Sequence, residues 1–403
     1  KMDIEKKSNR IFGNELKYLK EILDTDFRTS AYGMMANRFE KAFAEKIGVN
    51  YAIGHNSGTT PLHSMLEAIG VEPGNEVIVS PLTMSAPTYA ILQAGGTPVY
   101  ADIDPESFTI SPESIEKNIT SKTKAISAIA LYGLPCELEK IMDIAKKNSL
   151  FVYEDNAQCM LGTYKGKFAG SIAHAGSFSF QRLKHLTCGE GGMFTTNDKD
   201  LAEKVRRMTC LGYANVGAKK GAVTKMELQD PNYDRHISFG FKTRLPELCA
   251  AVALAQLENA EALVDIRLKS AQLWHEAISD CNWLIPQKVS PDHKHSYWSY
   301  AVRLNHPKLT WHQFRDKFVE MGGDGIYSAW KLSYQEPLLQ DPSNLGWRNR
   351  LISKERLLSY RQKGLCPVAE NYQPKLLAFK TDYWDANEAY KQTEILKKLI
   401  KLY

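Results

Sequence analysis

The sequence predicts an α/β protein: a mostly parallel central sheet with helices on both faces, followed by a smaller C-terminal α+β unit. Three observations carry this. Short runs rich in Val, Ile and Tyr alternate with amphipathic stretches through the first half of the chain, the rhythm of parallel strands joined by crossover helices. An Ala-rich helical segment opening at Pro246 turns from apolar to charged near Glu258, as expected of a helix that leaves one unit and enters another. Beyond it a single strand pattern and further helices continue to the C-terminus. The division is therefore 1–258 for a large domain, its N-terminal helical segment included, and 259–403 for a small one.

The elements follow in order. The N-terminal stretch KMDIEKKSNRIFGNELKYLKEIL is charged and helix-like and lacks the apolar core of a signal peptide. In GHNSGTTPLHSMLEAIG (54–70) a strand-like approach turns at Ser57-Gly58-Thr59-Thr60 into a helix with Leu62, Met65, Leu66 and Ile69 on one face. EVIVS (76–80), PVYADI (98–103), AISAIALYG (125–133) and LFVYEDNA (150–157) are strands. Their near-continuous apolar character suits strands covered on both faces. LEKIMDIAKKN (138–148) is an amphipathic helix between two of them. SFSF (177–180) and GGMFTTN (191–197) read as neighbouring strands through a tight connection, where the core sheet ends. From Pro246, placed at a first helical turn, one long helix runs through PELCAAVALAQLENAEALVDIRLKSAQLWHEAI. SYWSYAVRL (296–304) is a strand and TWHQFRDKFVEMG (310–322) a helix of the smaller unit.

Composition excludes several classes. With 403 residues, 43% hydrophobic and 24% charged, the chain is long enough for a large core and has an ordinary globular composition. A net charge of +5, spread along the chain, is too small to imply nucleic acid or a membrane surface as partner. No apolar run approaches the roughly 18 residues of a membrane span. Seven scattered cysteines without a CxxC pair argue against a disulfide framework or a zinc site. They suit a reducing, cytoplasmic setting, and no metal is expected.

The chemistry gathers around Lys184. It lies between the apolar strand Phe178 to Phe180 and the glycines Gly189 to Gly192, where an ammonium has no evident structural use. Upstream, Glu154-Asp155 closes the strand LFVY, at the edge where open α/β sheets bind ligands. Further upstream, the small residues around Gly58 and Thr59 open a helix whose first amides favour an anion. The same turn also suits an ordinary capped helix. Together the set matches pyridoxal 5'-phosphate. A lysine forms a Schiff base with the aldehyde, for which burial must lower its pKa. A carboxylate such as Asp155 keeps the ring nitrogen protonated, so that the ring acts as an electron sink. Ser179 supplies a hydroxyl to the phosphate, and Gln158 a donor to the ring's phenolic oxygen. No GxGxxG follows the first strand, which sets aside a nicotinamide dehydrogenase.

In NSGTTPLHSML, GNEVIVSPLTMSAPTYAI, YADIDPESFTI, VYEDNAQCMLGTYKGKFAGS, SFSFQRLKHLTCGEGGMFTTND and GFKTRLPELCAAVALAQL, the chain resembles the DegT/StrS family of pyridoxal phosphate-dependent sugar aminotransferases. The resemblance runs over nearly the whole length. It implies the fold type I transferase architecture of the aspartate aminotransferases. It implies that Lys184 carries the cofactor and later moves protons, that Asp155 pairs with the ring nitrogen, and that Gln158 contacts the ring oxygen. Gly58, Thr59 and Ser179 would bind the phosphate. The implied reaction is ping-pong: glutamate or glutamine gives its amine, leaving pyridoxamine 5'-phosphate, and a keto-sugar, nucleotide-linked, accepts it. The setting would be amino-sugar biosynthesis for a surface polysaccharide or a secondary metabolite, by a cytoplasmic homodimer whose sites are shared.

Three positions depart from the family. Met84 stands where an aromatic residue normally stacks on the cofactor ring; a thioether still packs there. GFKTR replaces the GYNxR motif, so Lys242 would reach the partner subunit's phosphate in place of an asparagine, with Arg244 nearby for anionic groups. His185 follows Lys184 directly. Relatives that remove a hydroxyl, the sugar 3-dehydratases, carry histidine in the lysine's own slot; here that slot holds lysine. His185 is expected as a packing or substrate-side residue; Tyr327, Trp330 and Tyr334 fall where the family's substrate-side loop lies, and core packing accounts for them equally well. A non-enzymatic scaffold with this fold would not need Lys184, Asp155 and Gln158 together.

Overall fold

The structure, a computed structural model, describes residues 10–27, 34–216 and 224–403. Its centre is a seven-stranded sheet. Six strands run in one direction: β1 (Tyr51–His55), β2 (Glu76–Val79), β3 (Thr97–Tyr100), β4 (Thr123–Ile129), β5 (Phe151–Asp155) and β6 (Ala175–Ser179). The seventh, β7 (Gly192–Thr196), is antiparallel to both neighbours, and the order is β1-β7-β6-β5-β4-β2-β3. The mostly parallel sheet expected from the strand rhythm is present. Val77, Ile78 and Val79 are all fully buried, as strands covered on both faces must be.

One expectation changes. The connection between β6 and β7 is not a tight turn but the segment 180–191, which carries Lys184. Nor does the sheet end at its edge there: β7 returns into the interior, between β6 and β1. Register puts Gly192 opposite both Ser179 and His55. The lack of a side chain matters at that crossing, since a Cβ on Gly192 would lie 2.0 Å from the Ser57 carbonyl oxygen.

Helices α1 (Asn14–Asp24) and α2 (Met34–Ile47) cover one face together with α4 (Glu247–Glu258), while α3 (Thr59–Ala68) leads out of β1 on the other. Alternation along β6 assigns its residues to faces. Phe178 and Phe180 turn to α2, where they meet Phe43 edge to face at 4.9 and 5.7 Å. Ser177 and Ser179 take the other side.

The long helix predicted from Pro246 is two helices. It breaks at Asn259, whose φ of −116° and ψ of 22° leave the helical region, and α5 (Ala260–Ile278) starts afresh. The Asn259 amide donates back to the Ala255 carbonyl at 3.1 Å, a local bond of the kind that lets asparagine end a helix. A second, four-stranded antiparallel sheet follows, from β8 (Leu284–Pro286), β9 (Ser299–Leu304), β10 (Tyr327–Ser328) and β11 (Leu376–Lys380) in the order β8-β9-β11-β10. Trp274 of α5 packs against it, stacked on Phe379 at 4.5 Å. The intervening segment 329–372 turns back to the large sheet, where Leu332, Tyr334, Leu339 and Tyr360 join the core that contains Leu62 and Tyr100. Among the described residues no helix is long and apolar enough to cross a membrane.

Candidate active site

The strand ends of the large sheet converge on a cavity of about 380 Å³. Its lining includes Gly58, Thr59, Met84, Asp155, Gln158, Ser179, Lys184 and Trp330. The sequence had singled out all eight. They come from the segments after β1, β2, β5 and β6 and from the 329–372 segment, so the sheet topology is what gathers them.

Asp155 ends β5 and is only 5% exposed. Its neighbour Glu154 faces the opposite side, because successive strand residues alternate, and there its carboxylate accepts the amides of Gly170, Ile172 and Ala173 at 2.7–2.9 Å. Of the adjacent acids, then, one organises a loop and the other faces the cavity. Asp155 Oδ1 accepts the Ala157 amide at 3.0 Å. Burial raises its pKa, against the opposing pull of that amide and of the Lys184 charge.

Lys184 is held through its main chain. Arg267 donates to the carbonyls of Leu183, at 3.0 Å, and Lys184, at 3.5 Å. Arg10 donates to those of Arg182, at 2.6 Å, and His185, at 3.0 Å, and also to that of Lys184. The Trp298 indole adds a bond to the Leu183 carbonyl at 2.9 Å. The ammonium sits 4.8 Å over the Trp298 ring. Burial lowers its pKa from 10.5 to about 8; Asp155 opposes that shift and the Arg267 charge adds to it.

Gln158 is oriented by an unusual neighbour. Tyr132 has φ of 60°, a left-handed conformation costly for a residue of its size, and its amide donates to Gln158 Oε1 at 2.6 Å. That bond fixes the side-chain amide so that its Nε2 donor is left for the cavity. On the far side, α3 begins at Gly58; the Ser57 hydroxyl accepts the Thr60 amide at 3.3 Å and Pro61 has no N–H, which leaves the amides of Gly58 and Thr59 for an anion. A Cβ on Gly58 would lie 2.5 Å from Ser179 Cβ, so the glycine is what lets the helix start and the Ser179 hydroxyl face one small volume. Unsatisfied amides at a helix start and a hydroxyl form an anion cradle.

Other residues named from sequence lie outside this cavity. His185 is 2% exposed, and its Nε2 meets the Ser296 carbonyl at 2.9 Å; burial drives its pKa well down. It is a packing residue, not a substrate-side one, because the turn after Lys184 sends it into the interior. Tyr327 is 71% exposed on the edge strand β10; the strand ends before the chain reaches the cavity at Trp330. Lys242 and Arg244 are exposed and line a second, open cavity of about 720 Å³ with Asn56 and Arg206. Conversely, Trp298 and Glu190 line the first cavity without having been singled out. The aromatic-rich strand SYWSYAVRL was the available signal for Trp298.

The sequence pattern of the DegT/DnrJ/EryC1/StrS aminotransferase family matches residues 9–342. The GDP-perosamine synthase of Caulobacter vibrioides is 38% identical over 299 residues, 73% of this chain and 76% of that protein. The GDP-perosamine synthase of Escherichia coli O157:H7 is 38% identical over 347 residues, 83% of this chain and 89% of that one. Among solved structures, the aminotransferase from Psychrobacter cryohalolentis superposes with a TM-score of 0.86 at 27% identity, over 97% of this chain and 98% of its own. With a cavity that brings a lysine, a strand-end acid and an anion cradle together, the chain belongs to the DegT/DnrJ/EryC1/StrS aminotransferase family.

Proposed function

We propose that this aminotransferase moves an amino group from glutamate or glutamine to a nucleotide-linked keto-sugar, in amino-sugar biosynthesis. The observation that carries the reading is the convergence of Lys184, Asp155, Gln158, Ser179 and the open start of α3 on one cavity. Those groups fit pyridoxal 5'-phosphate, the cofactor of the family. Gly58, Thr59 and Ser179 would hold its phosphate, Asp155 its ring nitrogen, Gln158 its phenolic oxygen, and Met84 one face of its ring. When bound, the cofactor supplies an aldehyde that takes up the amino group and a protonated ring that draws electrons from the carbon losing a proton.

The chain's own residues do the rest. With its pKa lowered to about 8, the Lys184 amine can take a proton from carbon and return it near neutral pH. A buried Asp155 carboxylate gains most from a proton donor placed against it, which keeps the ring nitrogen protonated. Lysine rather than histidine at position 184 favours amine transfer over loss of a hydroxyl. The relatives named GDP-perosamine synthases support an acceptor that is a nucleotide sugar.

The reading includes a homodimer. The charged side chains lining the cavity are Asp155, Glu190 and Lys184, a poor set for the carboxylates of an amino-acid donor and a phosphate. Lys242 and Arg244, exposed beside the second cavity, are available to a neighbouring subunit. Apolar surface at Phe239, 70% exposed, and Ile237, 53% exposed, suits an interface there. The test mixes the cofactor-loaded protein with glutamate and, separately, with glutamine and follows the visible cofactor band, then adds a panel of keto-sugars. Loss of the band on either donor and its return with one acceptor bears the proposal out. A band that both glutamate and glutamine leave unchanged, or a fully active monomer in solution sizing, defeats it.

A further inference from the structure

One wall of the cavity is aromatic. Trp298 and Trp330 both line it, with ring centroids 5.9 Å apart and planes within 19°. Behind Trp330 lies Tyr132, at 6.3 Å and 12°, so three near-parallel rings run from the core to the cavity. Each is pinned. Tyr132 is 1% exposed, and its backbone amide is tied to Gln158; the Trp298 indole N–H is spent on the Leu183 carbonyl. The platform is therefore rigid before anything binds, which lowers the entropy cost of stacking on it. It also stands at the reacting position, since the Lys184 amine lies over the Trp298 ring.

The chemistry of such a surface selects among the reactants. An indole face is electron-rich: it attracts positively polarised hydrogens and repels anions. The C–H groups on one face of a hexose, each bonded to a carbon bearing oxygen, match it. The carboxylates of glutamate do not. A nucleobase would stack equally well, but a ribose and two phosphates separate it from the sugar, whereas this platform sits within a sugar ring's width of the amine.

Resting on the proposed acceptor class, we infer that the outer face of Trp298, backed by Trp330 and Tyr132, is the platform on which the hexose ring of the acceptor stacks, making Trp330 a positioning residue for the acceptor half of the reaction. Trp330 is the better probe, because Trp298 also anchors the lysine loop. In the cofactor-loaded enzyme, Trp330→Leu lowers kcat/KM for the keto-sugar at least tenfold more than kcat/KM for glutamate, and Trp330→Phe recovers most of the loss. Binding gives a second readout. Whichever of GDP-mannose, UDP-glucose and dTDP-glucose binds quenches tryptophan fluorescence of the wild-type holoenzyme more than its own nucleoside diphosphate does, and Trp330→Leu removes the difference. Equal losses in the two half-reactions, no loss, or equal quenching by a nucleotide sugar that binds and by its own nucleoside diphosphate would each overturn the platform. A wild-type enzyme that exchanges its amine with no keto-sugar would instead overturn the acceptor class, and the platform with it.

Discussion

Arg267 lies beneath Lys184, donating to its carbonyl and to that of Leu183 from a site where the guanidinium is only 2% exposed. Burial lowers the Arg267 pKa to about 10, so it stays charged at neutral pH and acts on the lysine by repulsion as well as by position. Arg267→Met removes both effects. It removes a charged donor from the carbonyls of Leu183 and Lys184, which keep Trp298 and Arg10 as partners; a hydrogen bond from a charged group contributes about 1.5–3 kcal/mol, so the melting temperature should fall. It should also move the Lys184 titration upward. Arg267→Lys keeps the charge but not the planar fork, so it should destabilise while leaving that titration nearer the wild type. Thermal melts and the pH dependence of cofactor capture separate the two effects.

Capture itself should titrate. The neutral amine is the form that attacks an aldehyde, and Lys184 loses its proton at about pH 8. In the cofactor-free protein the rate of band formation with pyridoxal 5'-phosphate should rise about tenfold per pH unit below that value and level off above it. The same lowered pKa means that Lys184 contributes growing stability to the cofactor-free fold as pH climbs from about 8 towards 10.5, where the unfolded chain still holds the proton. Stopped-flow absorbance checks the first statement. A rate still climbing tenfold per unit at pH 10 would contradict it.

Asp155→Asn keeps an oxygen to accept the Ala157 amide bond and removes a buried charge. Stability should hold within about 1 kcal/mol. The half-reaction with glutamate should slow by about 10²-fold or more, the scale of losing one aligned electrostatic group. Single-turnover spectra and a melting curve measure both. A variant that melts early would mean that the acid holds the fold instead.

Much of this site was legible because its parts are local. A strand-end acid, a small-residue turn into a helix and a lysine flanked by glycines each announce themselves within ten residues or so. What was not legible depends on where distant segments land. Trp298 meets the lysine loop through a bond to Leu183 that spans 115 positions, and no local pattern encodes such a contact. His185 adjoins Lys184 in sequence, yet the turn there puts one side chain in the cavity and the next in the core. The break at Asn259 was masked by helix-favouring residues on both sides, because a single asparagine with a local side-chain bond outweighs a weak propensity signal. Strand order was equally hidden: nothing in GGMFTTN says that its strand inserts between β6 and β1.

Gly58 and Ser179 offer the sharpest separation of fold from function. An alanine at 58 puts its Cβ 2.5 Å from Ser179 Cβ and 2.8 Å from the hydroxyl oxygen. Contact that close forces either β6 or the start of α3 to move, and overpacking of this kind costs about 1–3 kcal/mol. Ser179→Ala removes only the oxygen, and the fold should scarcely respond. Each change damages the anion cradle, the first by displacing amides and hydroxyl together, the second by deleting one charge-assisted hydrogen bond worth about 1.5–3 kcal/mol. Gly58→Ala should therefore lose both melting temperature and cofactor affinity, whereas Ser179→Ala should weaken pyridoxal 5'-phosphate about ten- to a hundredfold at an unchanged melting temperature of the cofactor-free protein. Equilibrium dialysis of the cofactor, with melts in its absence, distinguishes the pair. Undiminished affinity in both variants would place the phosphate elsewhere.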